Sequence, residues 1–132
     1  EAAINQHSSP VTNVLAKAIR QLTEYFTGKR TSFDLPMQPA GTNFQQTVWN
    51  ELLKIPYGNT VTYLHMAKRL GNVKVIRAAA SANGKNPIGI IIPCHRVVGA
   101  DGKLTGYAGG LHRKQWLLEH EAKVAGKQSV LF

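Results

Sequence analysis

Cysteine is all but absent from this chain and acidic residues are scarce: one Cys and seven Asp+Glu among 132 residues, against 16 Lys+Arg. A lone thiol, Cys94, excludes an internal disulfide and a cysteine-based zinc cluster, so a reducing compartment suits the chain and the thiol itself needs a reason. His7, His65, His112 and His120 have no zinc-type spacing to it, so neither metal nor cofactor is expected. Nor is there any apolar run of the length a bilayer demands; the longest aliphatic patch, Ile88 to Ile92, excludes a transmembrane helix. The first residues, EAAINQHSSP, lack the basic start and apolar stretch of a secretory signal, and without an initiator Met they read as a trimmed or processed end. The length admits one ordinary domain with a short appendage, without repeats or low-complexity segments.

The charge that is present is unevenly placed. Ten basic residues and a single acid, Asp101, lie between Lys54 and Lys114, whereas the flanks carry six of each sign. The whole excess of +9 therefore sits in one central stretch. Such concentration is the footprint of a surface that meets phosphates, although anionic lipid attracts the same groups.

Periodicity divides the chain into three parts: a helix and linker over 1–40, a main domain over 41–122 and a loosely held tail over 123–132. Ser9 and Pro10 read as a helix start, followed by Val11, Val14, Leu15, Ile19, Leu22 and Phe26 at helical spacing and a stop at Gly28. Pro36 and Pro39 mark an extended connection up to Gly41. Thr42 with Gln45 forms a capping box, and Phe44, Val48, Trp49, Leu52, Leu53 and Ile55 give the next helix a wide apolar face. Two short helices follow, Thr62 to Leu70 and Val73 to Asn83, stopped by Gly71 and Gly84: a helix-turn-helix. In the second, Val73, Ile76 and Ala80 are expected inward, and Lys74, Arg77, Ala78 and Ser81 outward as DNA contacts. Small residues there suit close approach to a backbone or narrow groove rather than base readout. The run IGIIIPCHRVV reads as a buried strand interrupted by Pro93-Cys94-His95-Arg96, with a turn at Asp101-Gly102 and a last helix carrying Leu111, Trp116, Leu117 and Leu118 to near His120-Glu121. The fold class is mainly α with a short β element (α+β).

A thiol with an ordinary pKa near 8.5 is only a few per cent thiolate at neutral pH, so nucleophilic use needs a base or a cation beside it. His95 and Arg96 follow Cys94 directly. The imidazole can take the thiol proton directly or through one water, while Arg96 can serve structure instead. A carboxylate to orient the imidazole comes from Asp101, Glu119 or Glu121; the turn position of Asp101 projects it to solvent, which favours an acid at the end of the last helix.

The string NPIGIIIPCHRVVGADGKLTGYAGGLHRKQWLLEHE, preceded by FQQTVWNELLKIPYGNTVTYLHMAKRLGNVKVIRAAASANGK, resembles the DNA-binding and active-site domain of the O6-alkylguanine-DNA alkyltransferases, also called methylated-DNA–protein-cysteine methyltransferases. The resemblance covers about residues 40 to 122 and rests on Pro-Cys-His-Arg-Val followed by Gly-Tyr-Ala-Gly-Gly. It implies a winged-helix-like helix-turn-helix alkyltransferase domain, with residues before Gly41 a remnant of an N-terminal domain. It makes Cys94 the acceptor of a methyl or larger alkyl group from O6 of guanine, consumed in one turnover, with His95 taking the thiol proton through water and Glu121 orienting His95. Tyr63 matches the tyrosine that donates toward N3 of the departing guanine. Arg77 matches the finger that replaces the extruded nucleotide, and Asn86 the asparagine tying the recognition helix to the active site. Tyr107 and the Ala108 N–H match the substrate wall and the O6 contact, and the carbonyls of Cys94 and Val97 the acceptors of the exocyclic amine.

Ala80 stands where the family commonly has glycine, which bears on helix packing and depth of insertion. Relatives that bind lesions without repair carry tryptophan in place of the nucleophile, so Cys94 argues for transfer. The expected partner is double-stranded DNA containing O6-alkylguanine or O4-alkylthymine, met by a monomer in the cytoplasm, or the nucleus of a eukaryote. The competing reading is a non-catalytic alkylated-DNA-binding or helix-turn-helix regulatory module.

Overall fold

The computed structural model describes residues 10–127, which fall into two compact units divided between Gln38 and Pro39. Among the described residues no helix is long and apolar enough to cross a membrane.

In the first unit, helix α1 (Pro10–Phe26) ends where Gly28 adopts φ 78°, with Gly28 N–H bonded to Tyr25 and Lys29 N–H to Glu24 in a Schellman arrangement. The expected Ser9 cap lies outside the described residues. The buried face of α1 is not the aliphatic one. Val11, Leu15, Ile19 and Phe26 are exposed, whereas Gln21 and Tyr25, one turn apart, are buried. Gln21 tolerates burial because its amide accepts from Asp34 N–H at 3.0 Å and donates to the Asp34 carbonyl at 3.3 Å, satisfying both ends against an extended segment. Tyr25 packs edge-on to Phe26 and against Phe33.

The second unit opens with α2 (Asn43–Leu52), started by the expected capping box: Gln45 N–H donates to Thr42 Oγ1 and Thr42 N–H to Gln45 Oε1. Val48, Trp49 and Leu52 are buried, and the Trp49 indole donates to the Ala82 carbonyl at 2.9 Å, fastening α2 to the recognition helix. Leu53, expected on this face, is exposed. Strand β1 (Val61–Thr62) leads into α3 (Tyr63–Arg69), whose N-cap Thr62 accepts from His65 N–H.

The recognition segment begins as a 3-10 turn, Val73–Val75, capped by the Asn72 side chain, and continues as α4 (Ile76–Gly84). A 3-10 turn advances roughly 20° more per residue than an α-helix, which rotates everything after it. The inward residues are consequently Ala79, Ala82 and Asn83, with Val73 exposed and Ile76 and Ala80 half-buried, not the set that uniform helical spacing predicts. Lys74, Arg77, Ala78 and Ser81 are all exposed, as expected. Gly84 lies inside the last turn of α4; the chain leaves the helix at Lys85, before Asn86-Pro87.

Residues Ile88–Ile92 do not form the expected strand. Asn86 folds them into turns: its Oδ1 accepts from Ile88 N–H at 3.0 Å and its Nδ2 donates to the Ile92 carbonyl at 2.8 Å. Within this clamp Ile90 takes φ 71° beneath an Ile91 N–H to Gly89 carbonyl bond, a γ-turn that costs a β-branched residue about 1–3 kcal/mol. The strand is confined to β2 (Val97–Val98), which pairs in parallel with β1 in the register Val61↔Val97, Thr62↔Val98. Asp101 and Gly102 have φ 60° and 76°, the signature of the expected turn. The final helix, α5 (Leu111–Val124), runs past the expected end near Glu121 and into the segment read as a tail. Its buried stripe is Lys114, Leu117, Leu118 and Glu121, while Leu111 and Trp116 face outward, the latter stacked on His120.

Candidate active site

The sharp turn around Cys94 has a local cause. Pro93 sits at φ −82°, ψ 63° with Cys94 N–H bonded back to the Ile92 carbonyl at 2.8 Å, an inverse γ-turn that feeds a 3-10 turn over Cys94–Arg96. Successive residues therefore project about 120° apart and all three are buried.

His95 reaches α5, where its Nε2 lies 2.7 Å from Glu121 Oε2. Arg96 forks onto the same carboxylate, Nε to Oε1 at 2.8 Å and Nη2 to Oε2 at 3.1 Å, and sends Nη1 to the Ile55 carbonyl at 2.7 Å. Gly58 N–H adds a longer bond to Oε1 at 3.3 Å. Burial opposes the Glu121 charge, but hydrogen bonds from His95 and Arg96 outweigh it and hold the carboxyl at a pKa of about 2. Burial pushes His95 below its ordinary value, reinforced by the Arg96 and Lys114 charges and resisted by Glu121. A neutral imidazole facing a carboxylate must carry its proton on Nε2, which leaves Nδ1 a bare acceptor; among the described residues Nδ1 has no hydrogen-bond partner.

Both shifts make stability acid-sensitive in the same direction. A depressed folded pKa means that stability is complete above the unfolded value and is lost as protons bind on acidification. Loss begins as pH falls below about 6.5, through His95, and continues from about 4.5 toward 2, where Glu121 alone accounts for about 3 kcal/mol. Urea midpoints measured at pH 7, 5 and 3 check this, with the largest drop expected between pH 5 and 3.

Cys94 is 7% exposed, and burial raises its pKa despite a hydrogen bond from the Asn86 side chain and the charge of Lys114. The resting group is the thiol. Its carbonyl accepts from Val97 N–H and, at 3.4 Å, from the Asn83 amide, so a ligand amine aimed at that oxygen competes with Asn83.

Asn86 therefore stands beside the sulfur as well as clamping the preceding loop. Tyr107 is half-buried, its phenol pushed up to about 12 by burial and the neighbouring Cys94. Gly109 makes room for it: a Cβ there would lie 2.8 Å from the Tyr107 ring. Ala108 is exposed in the Tyr107–Gly110 turn, and Val97 is buried on β2. Tyr63 opens α3, and the Lys114 ammonium lies 5.9 Å from its ring centre.

Lys114 escapes a motif-based reading. It is wholly buried, with its pKa lowered to about 8 chiefly by burial, and its Nζ donates to the Thr105 and Gly106 carbonyls at 2.7 and 3.3 Å. A signal for it exists: Lys114 and Glu121 sit seven residues apart on the apolar stripe of Leu117 and Leu118, where a charge needs a partner inside the fold. No group of three or more His, Cys, Asp or Glu residues able to hold a metal occurs among the described residues.

Residues 43–123 match the family described as 6-O-methylguanine DNA methyltransferase, DNA binding domain, and residues 1–39 match the ribonuclease-like domain of the same methyltransferase. The chain belongs to the 6-O-methylguanine DNA methyltransferase family. A methylated-DNA–protein-cysteine methyltransferase of Methanosarcina acetivorans is 57% identical over 105 residues, 80% of this chain and 67% of the relative. The Mycobacterium tuberculosis protein of the same name is 49% identical over 126 residues, 96% of this chain and 76% of the relative. Among solved structures, the Mycobacterium tuberculosis OGT in complex with DNA superposes with a TM-score of 0.81 at 52% identity, covering 83% of this chain and 68% of that one. A more distant structural neighbour is S. pombe Atl1 in complex with damaged DNA containing O6-carboxymethylguanine, at a TM-score of 0.55 and 26% identity over 64% of this chain and 80% of that one.

Proposed function

We propose that this protein repairs DNA directly, by moving a methyl or larger alkyl group from O6 of guanine to Cys94 Sγ. The observation that carries this reading is a buried thiol followed directly in the chain by a histidine whose Nε2 is held 2.7 Å from Glu121 and whose Nδ1 has no hydrogen-bond partner among the described residues. The thiol proton passes to His95 Nδ1, directly or through one solvent molecule. Sulfur then attacks the alkyl carbon, the carbon–O6 bond breaks, and the departing guanine takes a proton at N3 from the Tyr63 hydroxyl. A thioether is a very poor leaving group, so each molecule acts once.

The remaining roles are those that the resemblance to the alkyltransferases implies. Asn86 fixes the loop before Cys94, Tyr107 lines the base, Ala108 offers its N–H toward O6, and the Val97 carbonyl accepts from the exocyclic amine. Lys74, Ala78 and Ser81 occupy the exposed side of the recognition segment and allow close backbone approach, with Arg77 filling the gap left by the everted nucleotide. A reducing compartment, cytoplasmic or nuclear, keeps the single thiol competent.

Incubation with a duplex containing O6-methylguanine is expected to add the mass of one methylene to the intact protein, mapped to Cys94. An unchanged mass with tight DNA binding would instead favour a non-catalytic alkylated-DNA-binding module. Arg77→Ala is expected to slow transfer from the duplex by at least roughly tenfold, since eversion costs a few kcal/mol, while transfer from the free O6-methylguanine base stays unchanged. Parallel single-turnover assays on the two substrates separate those effects.

A further inference from the structure

The Glu121 carboxylate is attached twice to one arginine and once to the histidine that follows Cys94 in the chain. That double attachment goes beyond what an ion pair needs for neutralisation. Building on the alkyl-transfer reading above, we propose that Arg96 is a positioning residue of the reaction: its fork fixes the plane of Glu121, and through it holds His95 with Nδ1 aimed for the thiol proton.

Each nitrogen of the guanidinium has a distinct anchor. Nε and Nη2 take the two carboxylate oxygens at 2.8 and 3.1 Å, and Nη1 takes the Ile55 carbonyl just beyond α2 at 2.7 Å. The Tyr57 ring covers the guanidinium at 5.5 Å. The terminal torsion of a glutamate is soft, and two parallel bonds from one planar guanidinium oppose its rotation more firmly than single-point donors do. Lysine cannot reproduce this, because an ammonium is a point charge without a planar pair of donors.

Arg96 also acts on the imidazole through charge. The charged groups facing His95 are Glu121, Arg96 and Lys114, with the Cys94 thiol adjacent in the chain. One anion is thus opposed by two cations, which disfavours imidazolium and keeps the base deprotonated in mild acid. Arg96 therefore trades some basicity at His95 for correct aim and for a base that is available below its ordinary titration range.

The test is single-turnover transfer from a methylated duplex between about pH 5 and pH 9, expressed per molecule of reactive Cys94, for wild type, Arg96→Met and Arg96→Lys. Wild type is expected to keep its rate to below pH 6.5 before an acid limb appears. Arg96→Met is expected to be slower by roughly tenfold at neutral pH and to show that limb about one pH unit higher. Arg96→Lys is expected to leave the limb near the wild-type position while recovering only part of the rate.

A purely structural arginine lowers the folded fraction in both variants but leaves the rate per reactive thiol and the acid limb unchanged, and that result overturns the proposal. Should neither variant fold, nitrogen-15 spectra of the wild-type imidazole decide. A neutral ring protonated on Nε2 at pH 6.5 and above supports it, and a ring protonated on Nδ1 or charged there overturns it. Absence of any mass gain in wild type instead refutes the alkyl-transfer reading on which the proposal rests.

Discussion

Cys94→Ser is expected to abolish alkyl transfer while leaving affinity for a methylated duplex within about twofold. Thiol and hydroxyl differ little in size, and the Asn86 side chain that hydrogen-bonds the sulfur can satisfy an oxygen in the same place, so neither packing nor polar satisfaction argues for unfolding. The chemistry is another matter. Burial favours the protonated form of Cys94, so under the proposed mechanism reaction depends on a histidine of reduced basicity taking the proton. That base can draw a proton from a thiol; a hydroxyl is a far weaker acid, and the resulting loss is several orders of magnitude. Intact mass after long incubation, with binding followed by fluorescence anisotropy, measures both halves. Residual transfer within tenfold of wild type in the serine protein would show that the acceptor lies elsewhere.

Glu121→Ala is expected to cost about 3–5 kcal/mol of stability, the penalty for stranding one member of a buried ion pair. The loss has identifiable parts. Arg96 would keep the Ile55 carbonyl and the face of Tyr57 but lose both bonds of its fork, the His95 Nε2–H would have no acceptor, and Gly58 N–H would lose its long bond. Against a typical total of 5–15 kcal/mol this leaves a domain near its unfolding threshold. Glu121→Gln keeps one oxygen acceptor and is expected to be less damaging to stability but comparably damaging to transfer. Urea midpoints beside single-turnover rates test the pair, and equal midpoints for Ala and wild type would refute the burial argument.

Local signals carried much of the architecture. The capping box at Thr42 and Gln45, the stop at Gly71 and the Asp101-Gly102 turn all involve residues within a few positions of one another, so chemistry near at hand decides them. Elsewhere distant partners overrode the pattern. Ile88–Ile92 has the composition of a strand, yet the Asn86 amide satisfies the same backbone groups more locally. On α1, the Asp34 backbone lets a glutamine occupy the buried side and leaves an aliphatic row exposed. In the recognition segment, a single 3-10 turn rotated the inward set away from the one that uniform spacing implies. Within the site, adjacency pointed to Cys94 and His95, but the choice among three acids depended on resemblance until α5 brought Glu121 to His95. Lys114 and the fork of Arg96 needed three dimensions, because long cationic side chains ordinarily reach solvent and nothing in a linear string says where an interior carbonyl will be.

The two rungs joining Val61 to Val97 and Thr62 to Val98 enclose the entire helix-turn-helix between their ends. The Cys94–Arg96 turn lies in the same enclosed span, one clasped segment running straight into Tyr63 and the other leaving Arg96. One-residue slippage would displace Tyr63 relative to Arg96 by about 3.3 Å, so the two ends of that span stay in step only while the short clasp remains closed.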